Sequence, residues 1–215
     1  MNLLTLTDSK LAALHRQAVN EIARRAKAAT NGHDPASIVH ENEMAKRALV
    51  VAVAGNHSIL FVGPPNCGKT MLRAVALKLG LGSSFEVWPC PCGYRNDPRR
   101  DCVCSYRQIE RHLRKLPEAD ISIEMVCPPE REMRSAGTGL AEMRQQIEAK
   151  TGHESLELGD DSRTLLKAAI AELALDADAR NRILAVARTI ANLDRSERIE
   201  ARHVCEAINY RMLRR

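Results

Sequence analysis

The stretch Gly63-Pro-Pro-Asn-Cys-Gly-Lys69-Thr70 constrains the fold of this chain more than any other feature. It follows the short apolar run Ser58–Val62 and precedes a segment of helical character at residues 69–79. A buried strand, a loop of the pattern G-x-x-x-x-G-K-[ST] and a helix, in this order, form a phosphate-binding loop. The glycines let the loop turn tightly, so that backbone N–H groups and the positive end of the helix dipole face phosphate oxygens.

We therefore predict that this loop binds ATP with Mg²⁺. In this interpretation Lys69 contacts the β- and γ-phosphates, and the Thr70 hydroxyl ligates Mg²⁺. Cys67 is interpreted as a small residue that the loop tolerates. A chance glycine-rich turn is the alternative, and the flanking strand and helix argue against it. The predicted nucleotide-binding residues are Gly63, Pro64, Pro65, Asn66, Cys67, Gly68, Lys69 and Thr70.

Hydrolysis of ATP requires a second acidic group, usually at the end of an apolar strand, that holds Mg²⁺ and positions water. The downstream carboxylates do not match this pattern. Asp120 precedes a predicted strand, and Asp160-Asp161 stand at the start of a predicted helix, where capping explains them. The sequence therefore leaves the catalytic residues unassigned.

The periodicity of apolar residues predicts an α/β protein with a helical second half. We predict about three parallel strands in a small three-layer core, followed by an all-α lid without strands. The predicted strands are 58–62, 85–88 and 121–126. The predicted helices are 8–29, 40–54, 69–79, 105–115, 139–150, 161–175, 179–193 and 200–213. The predicted domains are an N-terminal helix (1–34), a shortened core (35–128) and a helical lid (129–215).

Composition narrows the functional classes. No apolar run reaches the roughly 20 residues of a membrane span, and the first residues lack the features of a signal peptide, so we expect a cytoplasmic protein without a membrane partner. The formal charge is +5 and aromatic residues make up 3%. Any contact with nucleic acid would therefore run through phosphates and not through stacked bases.

Four of the seven cysteines form two close pairs, Cys90/Cys92 and Cys102/Cys104. Four thiolates suit tetrahedral Zn²⁺, although a single residue within each pair is shorter than the usual spacing of two to four. A structural zinc site, structural thiols without metal and redox chemistry are all left open. Cys127 and Cys205 are interpreted as lone core residues.

Basic residues surround the cysteine segment, and two interpretations fit them. They could track nucleic-acid phosphates, or they could form the solvated face of a helix, which is the commoner case. These residues are Arg95, Arg99, Arg100, Arg107, Arg111, His112, Arg114 and Lys115.

Several stretches together resemble magnesium-chelatase-like AAA+ ATPases. The stretches 40–49 and 53–72 resemble the entry to their AAA+ module. The segments 89–104, 181–193 and 203–211 resemble the ComM competence-protein subgroup. The resemblance implies ATP binding, assembly into homo- or hetero-oligomers of AAA+ type, and DNA as a partner.

The chain departs from this family in ways that affect hydrolysis. The family's segment with two strands and the Walker B acids is shortened between Gly80 and Phe85, and the N-terminal domain is replaced by a helix. Residues 117–121 lack the arginine finger, and Asp178 stands where the lid arginine is expected. In the family strand order 5-1-4-3-2, losing strands 2 and 3 leaves a contiguous 5-1-4 core.

Three hypotheses follow from the sequence. The first is an ATP-binding protein impaired in hydrolysis that acts as a switch or accessory subunit. The second is an active ComM-like motor that acts on DNA in branch migration or transformation. The third is a zinc-stabilised adaptor that binds nucleic acid. The missing Walker B acid favours the first hypothesis.

Overall fold

The computed structural model describes residues 17–25, 34, 36, 42–127, 137–150, 152 and 157–211. The first helix in this part of the chain, α1, comprises residues 17–25. The following elements, in chain order, are α2 (Glu43–Gly55), β1 (Ile59–Val62), α3 (Lys69–Lys78), β2 (Ser84–Val87), α4 (Tyr106–Leu113), β3 (Ile121–Glu124), α5 (Leu140–Glu148), α6 (Asp160–Leu173), α7 (Ala177–Leu193) and α8 (Ala201–Asn209).

The three strands form one parallel sheet in the order β2-β1-β3, with the strand of the glycine loop at its centre. Phe61 of β1 is in register with Glu86 of β2, and Val62 is in register with Glu124 of β3. The carboxyl ends of all three strands therefore meet at one edge, where the loop that starts at Gly63 begins. The predicted mixed α/β architecture with a small parallel sheet is confirmed, and it is compatible with a shortened AAA+ fold.

Strand β1 is buried on both faces, as its uninterrupted apolar sequence predicts. Ile59 and Phe61 belong to the main hydrophobic cluster of the molecule. Leu60 and Val62 face the other way, into a smaller cluster with Ala119. Burial on both faces fixes β1 between two layers and holds the start of the glycine loop in place.

The helical second half packs against the sheet domain through α2, which contacts α5 and α7. The main hydrophobic cluster runs without interruption from Leu49 of α2 to Ile183 of α7 and Val204 of α8. The chain after α8 also reaches the sheet, because the backbone N–H of Ser122 donates to the Tyr210 carbonyl at 2.7 Å. The domain limits stay a prediction, and most of the proposed boundary, residues 128–136, lies outside the described residues.

The element boundaries differ from the predicted ones mainly where a cap sets the end. Helix α4 begins at Tyr106 because Ser105 and Gln108 form a capping box, in which each side chain bonds the other residue's backbone N–H. Strand β2 starts at Ser84 and ends at Val87, one residue earlier than predicted at each end. Of the helix predicted at 8–29, residues 17–25 are helical and the rest lies outside the described residues.

Two expectations for the second half were wrong. No strand was predicted after residue 130, but Leu158 and Ile199 form an isolated parallel bridge. Asp160 and Asp161 were interpreted as capping residues. Gly159 is the N-cap instead, and the two acids lie in the first turn of α6 without a side-chain cap bond. Their charges there favour the helix dipole.

None of the helices in the described ranges is both long and apolar enough to cross a membrane.

Candidate functional site

The glycine loop starts where β1 ends, and both motif glycines have a steric reason. A Cβ added to Gly63 would lie 2.6 Å from the Met125 carbonyl oxygen and 2.7 Å from Cys67 Sγ. Gly68 has φ +93° and Asn66 has φ +63°. These are left-handed conformations that glycine, and to a lesser extent asparagine, adopt at low cost. The loop can therefore keep this shape only with small residues at these positions.

The prolines of the loop decide which backbone groups can meet a phosphate. Pro64 and Pro65 carry no N–H, so the loop's donors come from residues 66–70. Helix α3 begins at Lys69 with Gly68 as its N-cap. The last donors of the loop therefore coincide with the positive end of a helix, which is the usual arrangement for binding an anion.

The Lys69 side chain lies across the loop and is 8% exposed. Its ammonium donates to the carbonyls of Gly63 at 2.8 Å and Pro64 at 2.6 Å. Cys67 Sγ lies 3.6 Å from the same nitrogen. Burial raises the pKa of the Cys67 thiol, although the Lys69 charge opposes this. The loop thus holds one buried positive charge beside a neutral thiol.

A carboxylate that the sequence did not predict contacts the loop. The Thr70 hydroxyl donates to Glu86 Oε2 at 2.8 Å, and Arg73 Nη1 lies 3.3 Å from Glu86 Oε1. Because Glu86 is in register with Phe61, its side chain points to the face covered by α3, where Thr70 and Arg73 lie on one side of the helix.

Sequence reasoning missed Glu86 because it searched for an acid at the end of an apolar strand. Glu86 is the third residue of a four-residue strand, between Phe85 and Val87. The signal that could have found it is the spacing from the loop. The first strand after the loop's helix must run parallel to β1, and an acid near its carboxyl end then comes close to Thr70.

Asp120 lies at the opposite end of the sheet from the loop. Its carboxylate accepts hydrogen bonds from the Ser58 backbone N–H at 2.9 Å and the Ser58 hydroxyl at 2.8 Å, before β1 begins. Burial acts to raise the pKa of Asp120, but these two bonds outweigh it and the pKa is lowered. Arg182 lies 3.7 Å from the same carboxylate. Asp120 therefore braces the start of β1 and is far from phosphates bound at its end.

The structure brings the four clustered cysteines together. Cys90 Sγ lies 3.4 Å from Cys92 Sγ and 3.6 Å from Cys102 Sγ, and all four sulfurs, with Cys104, lie within 4.8 Å of one another. Sulfurs at about 2.3 Å from a tetrahedral Zn²⁺ are separated by about 3.8 Å. Gly93 (φ +85°) and Asn96 (φ +61°) turn the chain between the pairs. The donor set and its spacing fit one Zn²⁺ ion.

The thiols of the cluster differ in acidity. A hydrogen bond from the Tyr94 backbone N–H is the main cause that lowers the pKa of Cys92 to about 6, and burial opposes it. For Cys104, a bond from the Cys92 backbone N–H lowers the pKa, but burial and the neighbouring thiols of Cys92 and Cys102 raise it to about 12. The cluster thus readily offers a first thiolate to a metal, and binding all four sulfurs releases further protons.

The cysteine segment also contacts the glycine loop. Asp97 is buried, with a side chain 1% exposed, and it binds Arg99 through Nε at 2.9 Å and Nη2 at 2.8 Å. Arg99 Nη2 also lies 3.3 Å from Cys127 Sγ, so the predicted lone core residue Cys127 has a polar partner. The core prediction for Cys205 was wrong, because Cys205 is exposed.

Several residues of the predicted basic patch are engaged by partners. Arg114 pairs with Glu110 at 2.6 Å, and Arg100 lies over the Tyr94 ring at 4.4 Å. His112 Nε2 lies 2.9 Å from the Trp88 carbonyl oxygen. The basic segment is therefore in part a network of local contacts, while Arg107 and Arg111 are exposed on α4.

Two family profiles match most of this architecture. The profile described as "Magnesium chelatase, subunit ChlI" matches residues 36–81, which include β1, the glycine loop and α3. The profile described as "Magnesium chelatase, subunit ChlI C-terminal" matches residues 129–211, the helical second half. The chain belongs to the magnesium-chelatase-like family. The resemblance predicted from the sequence is thereby confirmed, and the cysteine segment lies between the two matched regions.

A relative supports a ComM-type member of this magnesium-chelatase-like family. The "Competence protein ComM" of Haemophilus influenzae is 63% identical to the chain over 30 residues. The matched stretch covers 14% of this chain and 6% of that relative, so the chain matches only a small part of ComM's length.

Proposed function

We propose that this magnesium-chelatase-like protein binds ATP with Mg²⁺ through residues 63–70 and hydrolyses it slowly or not at all. It then acts as a nucleotide-dependent switch or as an accessory subunit. One observation carries the proposal. Lys69 and Thr70 begin a helix at the carboxyl edge of the central strand, behind a loop whose glycines have no steric alternative. That arrangement suits the phosphates of a nucleotide.

Weak hydrolysis is supported by where the other charged residues lie. Asp120 lies at the far end of β1, and Arg182 is directed to Asp120 and Glu118. Asp178 occupies the first turn of α7, at the position expected for the lid arginine. We further propose that β3, β1 and β2 correspond to family strands 5, 1 and 4, which leaves out the strand that carries the Walker B acids.

Equilibrium binding of a fluorescent ATP analogue to the full chain tests nucleotide binding. We expect saturable binding with Mg²⁺ and at least about tenfold weaker binding of Lys69→Ala, because one charge-assisted contact to phosphate is lost. Lys78→Ala is the matched control, since it removes an exposed lysine from the same helix. Equal binding of ATP by Lys69→Ala and the wild type would overturn the proposal.

Steady-state phosphate release then tests the claim of slow hydrolysis. We expect turnover far below about 1 s⁻¹, the low end of ordinary enzyme rates. Lys69-dependent turnover in the ordinary range would show an active ATPase and would contradict the impaired form of the proposal, while leaving ATP binding intact.

We also propose that Cys90, Cys92, Cys102 and Cys104 hold one structural Zn²⁺. The close approach of all four sulfurs supports this assignment. Zinc bound there would keep the turn between the two cysteine pairs compact, and with it the position of Asp97 and Arg99. A metal-free cluster of thiols is the alternative, and metal analysis separates the two.

A second candidate function is an active ComM-like motor that acts on DNA in branch migration or transformation. The similarity to ComM and the exposed arginines of α4 favour it. In this case the protein would work in the cytoplasm and assemble with copies of itself or with related subunits. DNA-stimulated ATP turnover that falls with rising salt and with the double change Arg107→Ala and Arg111→Ala would support it. Turnover that DNA does not change would exclude it.

A further inference from the structure

We propose that Glu86 is the carboxylate that holds Mg²⁺ beside Thr70, in place of the acid that P-loop proteins usually carry at a strand end. This inference rests on the proposed binding of ATP. It assigns a role to a residue that lies outside the loop motif and outside both family-profile matches.

The first support is the contact between the two side chains. Thr70 Oγ1 donates its proton to Glu86 Oε2 at 2.8 Å. A hydroxyl that donates to a carboxylate keeps its lone pairs for a cation. Phosphate-loop sites use this combination, with the hydroxyl and a nearby carboxylate both oriented to one Mg²⁺. Mg²⁺ keeps several waters when it binds, so Glu86 can act through one of them.

The second support is the position of Glu86 in the sheet. Glu86 is in register with Phe61, two residues before Gly63, on the strand next to β1. Its side chain faces α3, whereas Glu124, in register with Val62, belongs to the opposite face and accepts a bond from Asn96 at 2.8 Å. Of these two glutamates near the carboxyl edge, the pleat thus directs Glu86 towards Thr70.

The length of the side chain explains why an acid inside the strand can do this. Glutamate is longer than aspartate by one carbon–carbon bond, about 1.5 Å. An aspartate at the end of a strand and a glutamate one residue earlier can therefore place their carboxylates at similar depths. The hydrogen bond to Thr70 shows that Glu86 reaches the first turn of α3.

An ion pair with Arg73 is the competing explanation for Glu86. Arg73 Nη1 lies 3.3 Å from Glu86 Oε1, which is longer than the about 2.7–2.9 Å of a strong charge-assisted bond. Arg73 Nε is buried without a hydrogen-bond partner in the described part of the chain. The guanidinium thus contacts one carboxylate oxygen loosely, and the oxygen that faces Thr70 is directed to the nucleotide loop.

The test compares ATP affinity with Mg²⁺ and with EDTA for the full chain. A fluorescent ATP analogue is titrated into the wild type, Glu86→Gln, Glu124→Gln and Lys69→Ala. Glu86→Gln removes the charge but keeps the shape and an acceptor for Thr70. Glu124→Gln is the matched control at the same edge of the sheet. We expect Mg²⁺ to strengthen wild-type binding, and Glu86→Gln to lose about tenfold or more of that gain. Its affinity in EDTA should stay within about twofold of the wild type, and Glu124→Gln should behave as the wild type.

Each other result has a defined meaning. Full Mg²⁺ enhancement in Glu86→Gln would overturn the assignment, and so would an equal loss of affinity in Mg²⁺ and in EDTA, which would show that Glu86 only supports the loop or Arg73. If the wild type binds no ATP in either condition, the proposed function itself fails. If Glu86→Gln does not fold, Glu86→Asp replaces it. This variant keeps the charge but shortens the reach, so only its Mg²⁺ enhancement should fall.

Discussion

Arg99 donates a hydrogen bond of 2.7 Å to the carbonyl of Pro65, so the cysteine segment holds the nucleotide loop from outside the motif. The same guanidinium binds the buried carboxylate of Asp97 and lowers the pKa of that carboxyl. The arrangement fixes Arg99 firmly, because moving it would leave a buried charge unpaired. The shape of the loop therefore depends on a segment that follows it by some thirty residues in sequence.

The first prediction concerns this bond. Arg99→Lys should weaken ATP affinity by about fivefold, which corresponds to the loss of one hydrogen bond of about 1 kcal/mol that holds the loop. Lysine keeps the positive charge near Asp97, so the fold should survive. The measurement is the dissociation constant of a fluorescent ATP analogue with Mg²⁺.

Arg100→Lys serves as the control for this prediction. Arg100 is the next residue, but it stacks over Tyr94 and makes no bond to Pro65 among the contacts of the described residues. Its affinity for ATP should match the wild type. Equal affinities for all three proteins would show that the Arg99–Pro65 bond does not shape the loop.

The second prediction concerns zinc. Purified protein should contain about one equivalent of Zn²⁺ bound by four thiolates, and Cys90→Ser should contain much less, because Cys90 is the buried member of the set. Removing zinc with a chelator should lower the melting temperature and also weaken ATP binding, because Asp97 and Arg99 lie between the two cysteine pairs.

Cys205→Ser is the matched control, since Cys205 is an exposed cysteine on α8. It should leave both the zinc content and the melting temperature unchanged. Less than about a tenth of an equivalent of zinc in the wild type would contradict a four-thiolate site, and it would leave structural thiols as the explanation of the cluster.

The third prediction concerns pH. His203 is buried, and its Nδ1 accepts the backbone N–H of Glu200 at 3.0 Å. Burial lowers the pKa of His203, the Arg202 charge lowers it further, and the carboxylates of Asp194, Glu200 and Glu206 oppose this. An unfolded histidine titrates near about 6.5. Below that pH the unfolded chain takes up a proton that the folded chain does not, so the free energy of unfolding should fall as pH falls.

Urea unfolding at several pH values between about 7 and 5 checks this expectation. The slope per histidine cannot exceed about 1.4 kcal/mol per pH unit. His203→Gln should reduce the slope but not remove it, because burial also lowers the pKa of His57. An unchanged slope in His203→Gln would show that His203 does not contribute to the pH dependence.

Much of the fold could be predicted from the sequence because local patterns carry it. The apolar run before the loop gives β1, and the helical periodicity after it gives α3, which spans Lys69–Lys78 where residues 69–79 were predicted. The spacing of the four cysteines likewise indicated their meeting, which the structure shows. These features depend on residues that are neighbours in the chain, and local sequence reports such neighbours well.

The remaining parts of the site depend on distant contacts. Glu86 reaches Thr70 across 16 residues and Arg99 reaches Pro65 across 34, and neither pair has a local signature. The exposed position of Cys205 was missed for a related reason. It belongs to a short amphipathic helix, and only the packing of α8 on α7 and α6 decides which of its faces is covered.

The sequence by itself thus determined the nucleotide loop, the order of its flanking strand and helix, and the family to which the chain belongs. The tertiary structure decided which acid and which arginine contact that loop. The physical reason is the parallel sheet. Its register fixes which side chain of a neighbouring strand faces α3, and it brings the carboxyl ends of strands far apart in sequence to one edge.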